Sequence, residues 1–590
     1  MTNVGWKGLR FIAVLGVFAG TAFGQRAVLS PELAGAQSSS NVDIIVQFKA
    51  PPADADDQRV LRWGGLLRRR LSLVKGGAYT VPAAALARIA ADSGVAYVSS
   101  DRPVAGKLDL TGAAINVSAA WQAGWDGSGV GVAVIDSGIS FHPDLQRASG
   151  GLRLVYGQDF TGGGTQDQYG HGEHVAGVIA GSGAASSCGN CFRTFRGMAP
   201  NANLIDLRVL DQNGEGTDSE VIHAISTAIK LKDQYNIRVI NLSLGRPVYE
   251  SYTQDPLCQA VEAAWRAGIV VVVAAGNDGR DNSFGTSGYG TIASPADDPY
   301  AITVGAMKAE GTPSRGDDLI ASYSSKGPTA VDQIVKPDLV APGNLVVSLL
   351  APGTALASGY PSDLVPLAYY QYTPSGAFSG GYLALSGTSM AAAAVSGAVA
   401  DLIEAQPYLT PDQVKARLMK TAYKVFPVTS TAVDPVSGNV YVDQYDLFTV
   451  GAGYLDLQAA LADTSVAVGP ALSPTAAWDP ASGNASLVPA PSSAWNASPD
   501  YSLQSVWGTS TLVNGTNILW GNETAEWGTP VGSDQSVWGT QSVWGTQAIW
   551  GTQSVWGTQS VWGTQSVWGT QSVWGTQSVW GTGVLTNGEK

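Results

Sequence analysis

Short apolar runs alternate with helical segments from about residue 111 onward. The runs are rich in β-branched residues and carry apolar residues on both faces; they are residues 130–135, 204–209, 239–244, 269–275 and 301–304. The segments between them have helical periodicity; they include residues 171–180, 219–232 and 256–267. Strands that are apolar on both faces, with helices between them, predict a parallel sheet covered on both sides. We therefore expect an α/β domain with a doubly wound parallel sheet.

A smaller pattern precedes this domain. Strand signals at residues 43–48, 78–81 and 94–99 are separated by a basic amphipathic stretch at 59–73 and a helical stretch at 82–91. The periodicity predicts a helix over each of the two intervening stretches. Together they predict a compact α+β module with an order similar to β-α-β-β-α-β.

The stretch LSGTSMAAAAVSGAVA at residues 385–400 predicts a turn that enters a buried helix. Ser389 follows the Gly-Thr pair and would lie at the N-terminus of that helix, where free N–H groups stabilise a developing oxyanion. Gly397 would let another backbone pack closely against the helix. Such a turn can also do no more than cap a core helix. A nucleophilic serine requires a histidine and an orienting carboxylate from elsewhere in the chain.

Three polar residues stand out at the ends of predicted elements. Asp136 directly follows a buried strand, His171 begins a small-residue helix, and Asn277 follows the most apolar strand. Each could be structural, since a strand-end Asp often caps a turn. Function in parallel sheets gathers at the carboxyl ends of the strands, where Asp136 and Asn277 are expected. The Asn277 amide could donate a hydrogen bond to an oxyanion there.

The order Asp136, His171, Ser389, each in a small-residue turn, resembles that of the subtilisin-like serine proteases. The resemblance runs from about residue 111 to 461, and we assign residues 111–463 to this peptidase domain. It implies that Ser389 is the nucleophile, that His171 is the general base and that Asp136 orients it. It also implies that Asn277 belongs to the oxyanion hole.

Further motifs of the same family suggest where a peptide substrate would bind. Segments GEGT and SLG, which flank the bound peptide in that family, place Gly214, Gly216, Ser243, Leu244 and Gly245 beside it. The motifs SPA, SSKGPT and KPDLVAPG also match. The resemblance implies protein or peptide substrates, and the chemistry of a serine protease requires no cofactor.

The chain also departs from the family pattern. Glu173 stands two residues after the histidine, where the family usually has Thr, and its charge bears on the pH optimum. Ala393 and Ala394 replace a usual Pro-His pair, which supports the helix and carries no chemistry. The loop GSGAASSCGNCF lies where many relatives bind calcium, and we assign no calcium or other metal site to it.

The N-terminal regions predict an exported precursor. Residues 1–24 carry Lys7 and Arg10, then an apolar run and small residues, which is the layout of a secretory signal peptide. The α+β module, assigned to residues 42–104, resembles the inhibitory propeptide of these proteases. The resemblance implies that the chain's own propeptide is a binding partner, released by cleavage within residues 105–111.

Composition narrows the classes of partner. The 590 residues carry a net charge of −14, which argues against binding to nucleic acid.

Cys188 and Cys191 could form half of a zinc site or a small disulfide ring. In an exported chain that lacks a second ligand pair, we expect the disulfide, with Cys258 left free.

The C-terminal region differs in composition from the rest. Residues 464–503 are rich in Ala, Pro and Ser and are expected to form a linker. Residues 504–582 form a tail in which QSVWGT first appears at Gln504 and repeats without gaps over 535–582, once as QAIWGT. A flexible tail and a thin β-solenoid are both open. Its tryptophans could bind a surface, a polysaccharide or another copy of the chain.

These observations predict a secreted or extracellular serine endopeptidase that is made as a self-processing precursor and acts through an acyl-enzyme intermediate. The repeat tail could retain it at the cell surface. An alternative is an adhesive protein in which the tail is the working part and the protease fold is a carrier. The Asp136, His171 and Ser389 set argues against that alternative.

Overall fold

The structure is a computed structural model. It describes residues 29–30, 33, 41–71, 74–100, 107–147, 150–283, 285–373, 376–434, 438–479, 484–507, 511–513, 518–520, 524–526 and 589. The expected signal peptide at 1–24 and the gapless hexads at 535–582 lie outside the described residues. The chain divides into two compact units, Met1–Val104 and Ala105–Lys590. Each unit has its own apolar core.

The first unit is an antiparallel sheet with two helices. Its elements are β1 (Asn41–Phe48), α1 (Asp54–Arg62), β2 (Leu66–Leu71), β3 (Gly76–Pro82), α2 (Leu86–Ala90) and β4 (Val95–Ser100). The sheet order is β2-β3-β1-β4, and every pair is antiparallel. Ile44, Val46, Tyr79 and Ile89 are buried in its core. The element order is the β-α-β-β-α-β order expected from the sequence.

The prediction of a helix over residues 59–73 is wrong, because this stretch is divided between α1 and β2. Gly64 has a φ of +86°, which L-residues with side chains rarely adopt and which ends the helix. The buried Asp57 carboxylate then fixes the turn, since it accepts hydrogen bonds from Arg70 Nε at 2.8 Å and from the Tyr79 hydroxyl at 2.5 Å. The second part of this basic amphipathic stretch therefore forms a strand. The contacts that stabilise it involve Asp57, outside the stretch, so the periodicity of the stretch could not show them.

The second unit contains the larger set of elements. Its helices are α3 (Lys107–Ala114), α4 (Val117–Gln122), α5 (His171–Ala180), α6 (Asp218–Tyr235), α7 (Pro256–Arg266), α8 (Ala355–Gly359), α9 (Thr388–Ala405), α10 (Pro411–Thr421), α11 (Leu447–Val450), α12 (Leu457–Ala462) and α13 (Leu503–Trp507). The cleavage region expected at 105–111 therefore overlaps the start of α3, and residues 105–106 lie outside the described part.

The strands of this unit form a central sheet and several small ones. The central strands are β5 (Gly131–Asp136), β6 (Leu154–Asp159), β7 (Asn203–Arg208), β8 (Ile237–Leu242), β9 (Val270–Ala274), β10 (Ile302–Lys308), β11 (Leu319–Ile320) and β12 (Leu339–Pro342). The others are β13 (Val346–Leu349), β14 (Leu364–Pro366), β15 (Phe378–Leu385), β16 (Thr429–Val433), β17 (Val440–Gln444), β18 (Thr475–Asp479), β19 (Asn484–Val488), β20 (Thr511–Val513), β21 (Ile518–Trp520) and β22 (Thr524–Glu526).

The central sheet confirms the expected α/β architecture with a parallel sheet. Its order is β11-β10-β9-β8-β5-β7-β6, with β12 also paired to β10. All of these pairs are parallel except β10 with β11. Helices α5 and α9 pack against each other, α6 packs against α7, and both pairs contact the sheet. The sheet is thus covered by helices, which explains why β5 and β9 are buried along their whole length.

Residues 464–479 and 484–507 differ from the linker expected at 464–503 and from the start of the repeat tail expected at 504–582. Ala471, Trp495, Tyr501 and Trp507 are buried and belong to the same core as the central sheet. The Trp495 and Trp507 rings pack edge to face at 5.2 Å, and α13 packs on α10. Composition alone suggested little burial, but a few aromatic side chains anchor the segment. Across the described part of the chain, no helix has both the length and the apolar character needed to cross a membrane.

Candidate active site

Asp136 and His171 form a buried hydrogen-bonded pair. Asp136 is the last residue of β5, and His171 is the first residue of α5. His171 Nδ1 lies 2.7 Å from Asp136 Oδ1, and both residues are fully buried. A carboxylate only accepts, so the imidazole donates from Nδ1 and its lone pair is on Nε2. The same carboxylate oxygen accepts the Ser137 N–H at 2.8 Å, which fixes its orientation.

The first turn of α5 packs directly on the turn after β5. A Cβ built at Gly172 would lie 2.4 Å from the Gly138 carbonyl oxygen, so only glycine permits this approach. The buried Asp167 carboxylate caps the helix, because it accepts the Gly170 N–H at 2.7 Å and the Glu173 N–H at 2.8 Å. These contacts hold the imidazole beside Asp136.

Ser389 lies in the first turn of α9 and contacts Ser243 from the end of β8. The Ser389 hydroxyl donates to the Ser243 carbonyl oxygen at 3.2 Å, and the Ser243 hydroxyl donates to the Ser389 carbonyl oxygen at 3.0 Å. Asn241 Nδ2 in turn donates to the Ser243 hydroxyl at 2.9 Å. The hydroxyl therefore does not donate to His171, whose buried Nε2 has no hydrogen-bond partner among the described residues.

Helix α5, which begins at His171, packs closely against α9, whose first turn contains Ser389. A Cβ at Gly397 would meet the Ile179 carbonyl oxygen at 3.0 Å and Met198 Cβ at 2.6 Å. This confirms the close backbone approach expected at Gly397. Both predicted site residues thus stand in the first turns of two helices that pack together.

Asn277 is held against the turn that precedes the serine. Its Oδ1 accepts the Thr388 N–H at 2.9 Å and the Thr388 hydroxyl at 3.1 Å. An amide accepts through its oxygen and donates through its nitrogen, so these two bonds fix which end of the Asn277 side chain faces Thr388. Gly276, with a φ of +110°, supplies the backbone turn that places this side chain next to Ser389's helix.

The predicted substrate-binding residues fall on two loops. Gly214 has a φ of +79°, and a Cβ there would lie 2.7 Å from the Tyr169 ring. A Cβ at Gly216 would lie 2.2 Å from the Val209 carbonyl oxygen. Leu244 is buried, and a Cβ at Gly245 would lie 3.1 Å from the Ser294 carbonyl oxygen. Ser243 is the member that the structure brings into contact with Ser389.

Buried carboxyl groups surround the Asp136–His171 pair. Burial raises the pKa of Asp167, and burial with the neighbouring Asp167 charge raises the pKa of Glu173 well above its ordinary value. Burial also raises the pKa of Asp206 well above its ordinary value. Glu173 Oε2 accepts the Ser140 N–H at 2.6 Å, and Oε1 is buried without a partner among the described residues. The raised pKa favours a neutral Glu173, whereas the sequence suggested a charged one.

A second histidine of α5 is structural. His174 Nε2 lies 3.0 Å from the Val346 carbonyl oxygen and 3.2 Å from that of Leu383. Burial lowers the pKa of His174 to about 3, so its ring stays neutral and donates to these carbonyls.

Sequence reasoning missed two residues that position the site. Asp167 caps α5 four residues before His171, and an acid just before a small-residue helix is the signal that could have identified it. Thr388 holds Asn277 through both its N–H and its hydroxyl, and no sequence pattern indicates that contact.

Of the two alternatives for Cys188 and Cys191, half of a zinc site or a disulfide ring, the structure contains the disulfide. Cys188 and Cys191 are disulfide-bonded, which confirms that pairing, and Cys258 is free and buried. Burial and the nearby Asp297 carboxylate raise the pKa of the Cys258 thiol, so it is a poor nucleophile. The described residues contain no group of three or more His, Cys, Asp or Glu side chains arranged to hold a metal ion.

The comparisons of this chain with a family model and with individual proteins agree on one family. Residues 127–453 match the family model described as the Subtilase family. Serine protease AprX of Bacillus subtilis (strain 168) is 40% identical over 303 residues, covering 50% of this chain and 61% of that protein. Subtilisin E of the same strain is 33% identical over 402 residues, covering 67% of this chain and 88% of that protein. Subtilisin of Bacillus pumilus is 36% identical over 309 residues, covering 52% of this chain and 89% of that protein.

Proposed function

The chain belongs to the subtilase family of serine endopeptidases, and from that premise we propose that Ser389, His171 and Asp136 are its catalytic triad. The observation that carries this assignment is the buried 2.7 Å bond between His171 and Asp136, made beside the helix that presents Ser389. Protein or peptide chains are the substrate class. The alternative of an adhesive carrier would not require this buried pair.

The proposed reaction begins when His171 Nε2 takes the proton of the Ser389 hydroxyl. The serine oxygen then attacks the carbonyl carbon of the scissile peptide bond and forms a tetrahedral intermediate. His171 returns the proton to the leaving amine, which leaves an acyl-enzyme that water hydrolyses by the same steps. Asp136 holds the Nδ1–H tautomer and stabilises the imidazolium formed in between.

The oxyanion would be stabilised by two donors. The Ser389 backbone N–H lies at the N-terminus of α9, and the Asn277 amide is oriented by Thr388. Each donor of this kind contributes roughly 3–4 kcal/mol to transition-state stabilisation. Gly214, Gly216 and the Ser243–Gly245 stretch would flank the bound peptide, and none of these steps needs a cofactor.

Labelling with a serine-directed phosphonate tests the nucleophile. We expect one label on Ser389 and none on a Ser389→Ala variant, which should also lose peptide hydrolysis. Ser362→Ala is the control, because this exposed serine lies outside the site and its variant should label as the parent does. A label on another residue, or full activity of Ser389→Ala, would contradict the triad.

We also propose that the first unit is the inhibitory propeptide and that the enzyme removes it. Its antiparallel four-stranded sheet with two helices forms a core of its own, as a separable folding aid requires. N-terminal sequencing of purified protein tests this: the active enzyme should begin within residues 105–111, whereas Ser389→Ala should retain the first unit. Identical N-termini in the two proteins would show that the chain does not process itself.

Export and surface retention complete the proposal. The signal-peptide layout at residues 1–24 supports a secreted or extracellular enzyme, and the tryptophan hexads support attachment to a surface, a polysaccharide or another copy. Fractionation of the producing cells tests both: the processed enzyme should be outside the cytoplasm and partly cell-bound. Equal release of full chain and a chain lacking the hexads would argue against retention.

A further inference from the structure

A buried glutamate from beyond the hexads contacts the catalytic domain. Glu589 follows the tryptophan hexads by several residues, yet it is only 1% exposed. Its contacts are with Arg280, Ser322 and Asn344, which come from three separate loops around the central sheet. A charged side chain is rarely buried to this degree unless it is paired, so the hydrogen-bond partners of Glu589 show how its charge is accommodated.

The carboxylate of Glu589 is matched by donors. Oε1 accepts the Ser322 N–H at 2.8 Å and Arg280 Nη2 at 2.8 Å, and it also accepts the Ser322 hydroxyl. Arg280 is itself fixed, because its Nε donates to the Ser322 hydroxyl at 2.8 Å and its Nη1 pairs with Asp434. Oε2 is buried without a partner among the described residues. The carboxylate is thus held through one oxygen by a pre-formed set of donors.

The backbone of the same residue is also bound. Asn344 Nδ2 donates to the Glu589 carbonyl oxygen at 2.8 Å, and the Glu589 N–H donates to Asn344 Oδ1 at 2.9 Å. A side-chain amide that pairs with both backbone groups of one residue fixes the direction of the chain as well as its position. Side-chain and backbone recognition together distinguish this arrangement from an incidental ion pair.

The three contact residues border the framework of the active site. Their neighbours in sequence, Gly279, Tyr323 and Gly343, are linked by hydrogen bonds. The Gly279 N–H donates to the Tyr323 carbonyl oxygen at 2.8 Å, and the Tyr323 hydroxyl donates to the Gly343 carbonyl oxygen at 3.1 Å. The same Gly343 oxygen accepts the Gly387 N–H at 2.9 Å, just before the helix of Ser389. Burial and the Glu589 charge raise the pKa of Tyr323, so its hydroxyl keeps its proton as this donor.

We propose that Arg280, Ser322 and Asn344 form a glutamate-binding pocket that holds Glu589, a residue beyond the hexads, on the catalytic domain. The chain is also held before the gapless hexads, since Val506 and Trp507 of the first QSVWGT are buried in the core of the same unit. The chain is therefore bound to the catalytic domain at Trp507 and again at Glu589, whereas composition suggested a tail attached at one side. This inference does not depend on the proposed catalytic residues.

Hydrogen exchange of the full chain tests the pocket, with Ser389→Ala as the parent to prevent self-digestion. The readout is deuterium uptake in peptides that contain the Ser322 amide, and peptides from β8 report the stability of the whole unit. In Glu589→Ala the Ser322 amide should exchange at least tenfold faster, while β8 is unchanged. Glu523→Ala, which removes another glutamate from the same region of the chain, should match the parent.

Two results would overturn the proposal. One is uptake at Ser322 that is the same in Glu589→Ala and in the parent, and the other is an equal increase in Glu523→Ala. If Glu589→Ala loosens β8 as well, Glu589→Met decides, because methionine fills a similar volume without accepting hydrogen bonds. Faster exchange confined to Ser322 in Glu589→Met supports the pocket, and exchange equal to that of the parent contradicts it.

Discussion

Replacing Glu173 by glutamine should stabilise the folded protein increasingly as the pH rises. The Glu173 carboxyl is fully buried two residues after His171, and among the described residues only its Oε2 has a partner, the Ser140 N–H at 2.6 Å. Burial and the charge of Asp167 raise the pKa of Glu173 well above 4.5. Glutamine has nearly the shape of the protonated acid and can still accept the Ser140 N–H, but it never ionises.

Proton linkage gives the direction and the size of the stabilisation expected for Glu173→Gln. Above the ordinary carboxyl pKa of 4.5, the unfolded chain releases the Glu173 proton while the folded protein keeps it. The folded state then binds more protons than the unfolded state, so the free energy of unfolding falls by about 1.4 kcal/mol per pH unit from this group. That loss continues until Glu173 ionises in the folded protein as well. Glu173→Gln lacks this loss, so its advantage over the parent grows at the same rate.

Urea unfolding followed by far-ultraviolet circular dichroism measures this difference. Both proteins carry Ser389→Ala to prevent self-digestion, and the free energy of unfolding is compared at half-unit steps from pH 5 to pH 8. Glu215→Gln is the control, because it makes the same substitution at an exposed position. A constant offset between Glu173→Gln and the parent over the whole range would refute the reasoning, since Glu173 would then be ionised in the folded state.

Three further predictions concern the site, the cysteines and the C-terminal region. Asn277→Ala should lower kcat about a hundredfold or more with little change in KM on a soluble peptide, because the amide serves mainly the transition state; an altered KM alone would contradict this role. Thiol titration of the denatured, unreduced protein should count one free thiol, Cys258, and a count of three would exclude the disulfide. A chain that ends after Trp507 should keep its specific activity on a soluble peptide, whereas one that ends at Asp463 should unfold at lower urea concentration because it lacks buried core residues. Loss of hydrolysis in a folded chain ending after Trp507 would show that the hexads or Glu589 are needed for catalysis.

Much of the peptidase domain could be predicted from the sequence because its signals are local. Strands such as β5 and β9 are apolar at every position, so a sheet buried on both faces is the arrangement that removes them from water. Gly397 could be predicted as a point of close approach, since a residue without a side chain inside a helix indicates packing. The types and order of Asp136, His171 and Ser389 also lie in the sequence alone.

Other features depend on contacts between residues far apart in the chain, and only the tertiary structure decides them. The raised pKa of Glu173 arises because folding buries the carboxyl near Asp167, which a reading of neighbouring residues does not reveal. Thr388 holds Asn277 across 111 positions of sequence. Glu589 is an ordinary glutamate in a small polar stretch until Arg280, brought near by the fold, gives its charge a buried partner. Periodicity and composition describe a residue's neighbours along the chain, whereas burial and pairing depend on which distant segments the folded core brings together.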